Sequence, residues 1–354
     1  MRIPFYKPNL PRPEQWLKYL EPAYEQAHFT NSGPVVQELE SRLCDRYGFR
    51  DAMLVCNATL GLQLALSLAR EVGYDQVLVP NFTFPATAAS AFAAGFSKDQ
   101  VVLCEVDAWG VLHSSGPHPG SLAVVVCPFG IWPTAQMLDR VLEMVGPTGA
   151  MVIDAAASLT KDPVPKYALA MANLVVFSLH ATKTFGIGEG GLVVAGNRDL
   201  ATLRDCRAAA NFGFLKDKSS RGLIHVTNAK MSDFQAAVGL AVLDDIEGKT
   251  DRRRRAAARY ASKLPVFQVA NRLSNQVVPV QFASRMLRDK VGAELTKMGI
   301  GTRVYYELLS HHFGMHVETP QAEILSATLL CVPMFEEITD AQVDEVTQCL
   351  LDSL

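Results

Sequence analysis

Short apolar runs recur along the first 195 residues, and stretches with helical spacing of apolar positions separate them. The runs show little alternation of polar and apolar positions, so both faces of the sheet that they form should be covered by helices. This pattern is typical of an α/β fold with a mostly parallel sheet. It predicts seven strands, at residues 53–56, 77–79, 101–103, 122–127, 151–153, 174–177 and 192–195.

The pattern changes near Met231, where a long helical stretch begins that carries apolar residues at 234, 237, 238, 241 and 242. A strand at 277–282, a helix at 285–298, extended segments near Val304 and at 329–332, and a closing helix at 340–351 follow. This is the pattern of a small α+β unit. We predict an N-terminal segment with a large domain over residues 1–245 and a smaller C-terminal α+β domain over residues 246–354.

Composition narrows the classes of function. The chain has 354 residues, a hydrophobic content of 49% and a formal net charge of -3, which gives no bulk reason to expect nucleic acid or an anionic membrane as a partner. The basic run Arg252 to Arg255 is interpreted as a solvated helix face. Seven scattered cysteines without a CxxC pair indicate reduced thiols and no metal site. With no apolar run that could form a signal peptide or a membrane span, we expect a cytoplasmic protein.

The segment from 175 to 194 places Lys183 between two predicted buried strands. Glycines at 188, 190 and 191 end the intervening loop before the second strand begins. Burial favours the neutral form of a lysine, and a neutral amine is the form that condenses with an aldehyde. Lys183 is therefore a candidate for holding an aldehyde cofactor, although a surface lysine in a loop would fit this segment equally well.

Two further positions fit a pyridine cofactor. Asp154 ends a predicted strand, where a carboxylate can pair with the protonated ring nitrogen of such a cofactor. A helix cap is the alternative for this aspartate. Phe84 lies in the proline-bounded loop at 80–87, from which its ring could stack on the cofactor or cover the edge of the core.

A phosphate site is predicted where a strand turns into the helix that begins near Ala58. Free amide groups at a helix N-terminus attract an anion, the small Ala58 permits close approach, and Thr59 adds a hydroxyl. Ser178, five residues before Lys183, carries a second hydroxyl that could reach the same phosphate. Ordinary capping is the alternative for the threonine, as is an ordinary strand end for the serine.

Taken together, these motifs resemble the DegT/DnrJ/EryC1/StrS family, sugar aminotransferases of the aspartate aminotransferase fold type. The resemblance covers nearly the whole chain and rests on seven ordered motifs. They lie at 29–40, 57–66, 79–95, 152–159, 177–191, 228–243 and 332–346, and include FSLHATKTFGIGEGG and NAKMSDFQAAVGLAVL.

The resemblance implies a cofactor, pyridoxal 5'-phosphate, and a role for each matching residue. The cofactor lysine is Lys183 and the partner of the ring nitrogen is Asp154. It also implies a homodimer with shared active sites, in which the neighbouring subunit supplies Asn228 to the phosphate. The implied phosphate and ring contacts within one chain are Ala58, Thr59, Ser178 and Phe84.

The implied reaction moves an amino group from an amino acid, L-glutamate being the expected donor, to a nucleotide-linked 3- or 4-keto-deoxy-sugar. Such amino sugars enter surface polysaccharides or glycosylated natural products. The implied substrate-side residues are Thr30, Asn31, His180, Lys230, Tyr305 and Tyr306.

Three positions depart from the family pattern. Ala157 stands where many relatives have glutamine or histidine, Ala58 where glycine is usual, and Lys230 where arginine is common. Two other functions stay open: a regulatory or sensory protein of the same fold that binds pyridoxal phosphate, and a pyridoxal phosphate-dependent sugar dehydratase. Some dehydratase relatives carry histidine in place of the cofactor lysine, so the presence of Lys183 favours transamination.

Overall fold

The computed structural model describes residues 2–114, 116–198, 203–215 and 217–354. Its main element is a seven-stranded sheet with the strand order β1-β7-β6-β5-β4-β2-β3. Each predicted run forms one of these strands, which are β1 (Ala52–Val55), β2 (Val77–Pro80), β3 (Val101–Cys104), β4 (Leu122–Val126), β5 (Ala150–Asp154), β6 (Leu174–Ser178) and β7 (Gly191–Ala195).

The sheet is mostly parallel, as the sequence predicts. Only β7 runs against its neighbours, pairing antiparallel with both β1 and β6. Alternate residues of one strand enter different hydrophobic cores, since Met151 and Ile153 pack into one cluster and Val152 into another. Helices thus cover both faces, which explains why the strands read as continuous apolar runs. The predicted α/β fold class is confirmed.

The helices connect these strands and build the second half of the chain. The predicted helical stretch after Met231 is interrupted at Asp245, which separates α9 from α10. The helices are α1 (Pro13–Trp16), α2 (Glu21–Glu25), α3 (Pro34–Tyr47), α4 (Ala58–Glu71), α5 (Ala86–Ala93), α6 (Ala135–Val145), α7 (Lys166–Met171), α8 (Leu203–Ala209), α9 (Asp233–Asp244), α10 (Ile246–Ala261), α11 (Arg285–Lys297), α12 (Leu309–Phe313), α13 (Pro320–Thr328) and α14 (Asp340–Asp352).

The C-terminal part contains a small antiparallel sheet of β8 (Val278–Gln281) and β9 (Leu329–Val332). Tyr260 of α10, Val291 of α11 and Val346 of α14 share a third hydrophobic cluster with these two strands. The segment near Val304 forms no strand, and Arg303 makes an isolated bridge with Cys331 instead. The α+β character follows the prediction, while the division at residues 245 and 246 stays a prediction.

The basic run at 252–255 is not a uniformly solvated face, contrary to the interpretation from sequence. Arg253 is buried with only 2% of its surface exposed, whereas Arg252, Arg254 and Arg255 are more accessible and pair with acids. A helix turns by about 100° per residue, so consecutive arginines point in different directions. The identity of the buried member depends on what packs against α10.

All seven cysteines are free thiols. Within the ranges that the structure describes, no helix has both the length and the apolar character needed to cross a membrane.

Replacement of Gly33 by alanine should lower the free energy of unfolding by about 2 kcal/mol. A Cβ atom at this position would lie 2.2 Å from Oδ2 of Asp233. The Asp233 carboxylate accepts a hydrogen bond from the amide of Val36 at 3.0 Å and so caps the first turn of α3. Denaturant unfolding measures the effect. Gly116→Ala is the control, because a Cβ there meets no atom within 4 Å; equal stability of the two variants would contradict the prediction.

Candidate active site

A cavity of about 420 Å³ opens at the carboxyl ends of the parallel strands. Its walls come from the residues that follow β1, β2, β4, β5 and β6, which is where ligands bind in sheets of this kind. The volume lies in the range of small-molecule sites. The cavity brings together nine of the predicted site residues, namely Ala58, Thr59, Phe84, Asp154, Ser178, His180, Lys183, Tyr305 and Tyr306.

Lys183 lies in the loop of residues 179–190 between β6 and β7. Backbone hydrogen bonds close this loop on itself: the amide of Lys183 donates to His180 at 2.8 Å, and the amide of Ala181 donates to Gly188 at 2.7 Å. The antiparallel pairing of β6 with β7 holds the two ends. The lysine is therefore anchored on a structured loop, which disfavours the alternative of a loose surface residue.

Electrostatics favour a reactive amine. Burial lowers the pKa of Lys183 to about 8, the nearby charge of Asp154 raises it, and that of Arg253 lowers it further. The ordinary value for a lysine is 10.5. A substantial fraction of the Lys183 amine is consequently neutral near pH 8, as condensation with an aldehyde requires.

Asp154 ends β5 and is buried, with 6% of its surface exposed. Its Oδ2 accepts a hydrogen bond from the Thr87 hydroxyl at 3.0 Å, and its Oδ1 accepts one from the amide of Ala156 at 3.1 Å. Burial raises the pKa of Asp154, while these two hydrogen bonds and the charge of Lys183 counteract the rise. A buried carboxylate that lines a cavity in this way can pair with a protonated ring nitrogen.

The start of α4 lines the cavity where the sequence predicts a phosphate site. The side chain of Asn57 caps this helix by accepting from the amide of Leu60 at 2.9 Å. The amides of Ala58 and Thr59 precede the first intrahelical bond, so they are the groups that a helix N-terminus offers to an anion. A Cβ at position 191 would lie 2.7 Å from the amide nitrogen of Ala58, so glycine is needed beneath this turn.

Phe84, the predicted ring platform, borders the cavity although 57% of its surface is exposed. An aromatic ring left this open beside a buried acid is suited to cover a planar ligand. The buried acid, the amine of Lys183, the helix start and the open ring together match the ring nitrogen, aldehyde, phosphate and face of pyridoxal phosphate. The residues present fit this cofactor.

An aromatic wall closes the cavity on the side of the C-terminal region. Tyr305 and Tyr306 stack on each other with ring centroids 5.1 Å apart, and Tyr306 also stacks on Phe129 at 5.6 Å. Burial raises the pKa of Tyr306 and of Tyr6, so both hydroxyls stay protonated at neutral pH. Tyr6 also lines the cavity. Sequence reasoning missed it, because it lies in a proline-rich N-terminal segment without periodicity.

Four predicted residues lie outside this cavity in a single chain. Asn31 and Lys230 line a separate groove of about 1000 Å³, and Thr30 and Asn228 are exposed. The side chain of Lys230 lies over the ring of Phe212, 5.0 Å from its centroid. Within one chain, therefore, these four residues do not line the cavity that contains Lys183. Their assignment to the active site remains a prediction that requires a second subunit.

Three buried side chains around the lysine loop and the acid were not predicted. Thr87 binds Asp154, while Gln276 and Arg253 bind the backbone of the lysine loop. The pattern PATAAS at 85–90 could have suggested Thr87, since it places a hydroxyl in the first turn of the helix that follows Phe84. For Gln276 and Arg253 no local signal exists, because they approach from the other end of the chain.

The loop around Gly130 packs on the backbone of Ala157. A Cβ at position 130 would lie 2.3 Å from the carbonyl oxygen of Ala157, so glycine is needed there. Ala157, Cys127 and Phe129 all line the cavity.

The fold and the site define an aminotransferase that depends on pyridoxal phosphate. The structure aligns with the crystal structure of DesI in the presence of its TDP-sugar product, with a TM-score of 0.83 and 31% identity over 98% of this chain and 92% of that one. The sugar aminotransferase CalS13 from Micromonospora echinospora shares the fold, with a TM-score of 0.81 and 21% identity over 99% of this chain and 100% of that chain.

The sequence comparisons name the family. The model of the DegT/DnrJ/EryC1/StrS aminotransferase family matches residues 13–115 and 123–351, and the chain belongs to this family. The dTDP-4-amino-4,6-dideoxy-D-glucose transaminase of Shigella dysenteriae is 26% identical over 356 residues, which cover 94% of each protein. The predicted family, fold, enzyme class and cofactor are thereby confirmed.

Attachment of pyridoxal phosphate to Lys183 should become faster with rising pH and level off above a midpoint near the pKa of about 8. The reason is that only the neutral amine attacks, and its fraction saturates once the pH exceeds this pKa. Borohydride trapping at timed intervals, followed by peptide mass spectrometry, measures the rate at each pH. A rate that still rose about tenfold per pH unit above pH 9 would indicate an amine of ordinary basicity and contradict the prediction.

Proposed function

We propose that this enzyme transfers the amino group of an amino acid, L-glutamate, to the keto group of a nucleotide-linked 3- or 4-keto-deoxy-sugar. The main observation is the amine of Lys183, with its pKa lowered to about 8, in one cavity with the buried Asp154 carboxylate. The acceptor class is supported by the dTDP-sugar relative and by DesI, which was crystallised with a TDP-sugar product.

Pyridoxal phosphate, when bound, supplies an electron sink for the carbon that gains or loses the amino group. The residues of this chain would hold it at both ends. Asp154 would keep the ring nitrogen protonated through its negative charge, and the amides of Ala58 and Thr59 with the hydroxyl of Ser178 would bind the phosphate. Phe84 would cover one face of the ring. Contacts at both ends would restrict the movement of the cofactor beside the lysine amine.

Lys183 has two tasks in this proposal. Its amine would hold the cofactor through the aldehyde group, and it would be free to act as a base once an amino donor occupies the site. The free amine then moves a proton at the substrate carbon that carries the nitrogen, which needs a base titrating near neutral pH. A pKa of about 8 meets this requirement, whereas a lysine at 10.5 would remain protonated.

The sugar side is assigned to the aromatic wall. A deoxy-hexose presents apolar ring faces, and the stacked pair of Tyr305 and Tyr306 offers a flat apolar surface beside the protonated hydroxyl of Tyr306. His180 stands at the same cavity and hydrogen bonds to the Thr182 hydroxyl at 3.0 Å. These three residues are our candidates for contacts with the acceptor.

We also propose a homodimer with shared active sites. Asn228 is exposed in the single chain, and Lys230 and Asn31 line a groove outside the cavity of Lys183. In a dimer, Asn228 would reach the cofactor phosphate of the neighbouring subunit, and Thr30, Asn31 and Lys230 would line its sugar pocket. Lys230 keeps the positive charge but lacks the bidentate fork of an arginine.

A cytoplasmic location completes the proposal. Seven free thiols suit a reducing compartment. Glutamate and nucleotide sugars would be supplied there.

Product analysis tests this function. The holoenzyme is incubated with L-glutamate and a panel of nucleotide-linked keto-sugars that differ in nucleotide and ketone position. The expected result is stoichiometric formation of 2-oxoglutarate and one amino sugar, detected by mass spectrometry. Loss of water from the sugar without amination would show a dehydratase, and ligand binding without turnover of any panel member would show a regulatory protein.

A further inference from the structure

One side chain binds both peptide groups that flank Lys183. The Nε2 of Gln276 donates to the carbonyl of Thr182 at 2.8 Å, and its Oε1 accepts from the amide of Thr184 at 3.2 Å. This is the hydrogen-bonding pattern of a neighbouring strand, supplied here by a single amide. Gln276 itself is 2% exposed, and its own amide donates to the Ser274 hydroxyl at 2.9 Å. Its position is therefore fixed by the C-terminal region.

A buried guanidinium reaches the same carbonyl. The Nη2 of Arg253 donates to the carbonyl of Thr182 at 3.1 Å, and Nη1 contacts the carbonyl of Gln276 at 3.5 Å. Its Nε atom is buried without a hydrogen-bond partner among the described residues. The carboxylate of Glu336 lies 3.8 Å from Nε, but it is already bound by Lys249 at 2.8 Å. Arg253 thus forms only a long ion pair with Glu336, while its guanidinium hydrogen bonds to the lysine loop.

The charged groups around this loop come from several elements. Asp154 of β5 and Arg253 of α10 act on the Lys183 amine in opposite directions. Glu336 and Tyr6 face Arg253 from the other side, and Lys249 and Arg252 of the same helix share Glu336 with it. His180 and Glu189, within the loop itself, lie 3.8 Å apart. Removing the positive charge of Arg253 should therefore raise the pKa of Lys183.

We propose that Gln276 and Arg253 are positioning residues for the cofactor lysine, and that the C-terminal region fixes the Lys183 backbone through them. This inference rests on the proposed role of Lys183. Gln276 sets the direction of the chain on both sides of the lysine, and Arg253 adds a second bond and a positive charge. Because an error of about 1 Å in a reacting group can cost about a hundredfold in rate, such anchoring affects the proton transfer directly.

The test compares four variants with the wild type. Gln276→Met removes both hydrogen bonds to the lysine loop with a side chain of similar volume. Arg253→Met removes the positive charge, and Arg253→Lys keeps the charge but lacks the planar guanidinium with its several donors. Arg255→Gln is the control, since Arg255 is an exposed member of the same run that pairs with Asp340. In the apo-chain, reductive methylation of Lys183 is followed against pH by peptide mass spectrometry. In the loaded enzyme, kcat and KM for the acceptor are measured.

Arg253→Met is expected to raise the pH midpoint of Lys183 methylation by about one unit, because a nearby positive charge is lost. Arg253→Lys should keep the wild-type midpoint. Gln276→Met should also keep the midpoint but lower kcat at least about tenfold with KM unchanged. Gln276→Met thus tests the proposal independently if Arg253→Met does not fold. Arg255→Gln should match the wild type in every measurement.

Two results would overturn the inference. One is a wild-type kcat in Gln276→Met, and the other is an unchanged midpoint in a folded Arg253→Met. Failure of the proposed function gives a different signature, in which the wild-type holoenzyme forms no amino sugar with any member of the panel while Arg253→Met still raises the pH midpoint of Lys183 methylation. The two failures are thus separable.

Discussion

Lys183→Ala should abolish both halves of the transamination, with a loss of at least about 10⁴-fold in turnover, because one side chain provides both the attachment point and the proton-transferring base. Neither role can be taken over by water in a cavity of about 420 Å³ without a positioned base. The measurement is the formation of 2-oxoglutarate and amino sugar, followed by mass spectrometry. Lys297→Ala, which removes an exposed lysine of α11, is the matched control and should retain full activity.

The same variant should fold as well as the wild type. Since the pKa of Lys183 in the folded chain is about 8, below its ordinary value of 10.5, the folded state binds this proton more weakly than the unfolded state. The buried amine therefore opposes folding below about pH 8, and its opposition fades as the pH rises towards 10.5. Removing it should not lower the thermal midpoint of the apo-chain at pH 7. Turnover by Lys183→Ala, or its unfolding, would each contradict the prediction.

Asp154→Asn should reduce turnover by about 10³-fold while preserving the shape of the site. The asparagine oxygen can still accept from the amide of Ala156, and its NH2 group can donate to the Thr87 hydroxyl that donates to Oδ2 of Asp154 at 3.0 Å. Asparagine carries no negative charge, however, to keep a ring nitrogen protonated. The measurement is kcat with glutamate and the accepted keto-sugar. Thr87→Val is the control: it removes one hydrogen bond to the acid and leaves the charge, so a loss of about tenfold is expected.

The same substitution makes a second, independent prediction about the lysine. The charge of Asp154 raises the pKa of Lys183 against the effect of burial. Without that charge, the pH midpoint for modification of the Lys183 amine should move below its value of about 8. Two results would contradict these predictions for Asp154→Asn: a loss of turnover under about threefold, or a pH midpoint of Lys183 modification that moves upwards. Either would show that the Asp154 charge does not act as proposed on the ring nitrogen or on Lys183.

The sequence predicted the seven strands and the mostly parallel sheet that they form. Each strand is a buried run that is apolar regardless of which strands lie beside it in the sheet. It could not give the strand order, in which β7 inserts between β1 and β6 with reversed direction. That order depends on how the loop carrying Lys183 turns back. The break at Asp245 between α9 and α10 was missed for a similar reason, since no proline or glycine marks it.

The sequence predicted mainly those cavity residues that belong to local motifs. Residues at strand ends or helix starts, such as Asp154 and Ala58, belong to local motifs, and parallel strands bring those ends to one edge. Gln276 and Tyr6 belong to no such motif. They reach the cavity because distant parts of the chain pack beside it, and no spacing in the sequence records that contact.

By itself, then, the sequence determined the class of fold and the family, and it predicted a candidate lysine with an acid and a helix start beside it, because these follow from local burial and from ordered motifs. Only the tertiary structure decided that Arg253, rather than its three neighbours in the basic run, is buried against the lysine loop, and that Gln276 binds both peptides around Lys183. Such contacts are set by which faces of distant elements meet, and their energies depend on burial that no linear pattern specifies.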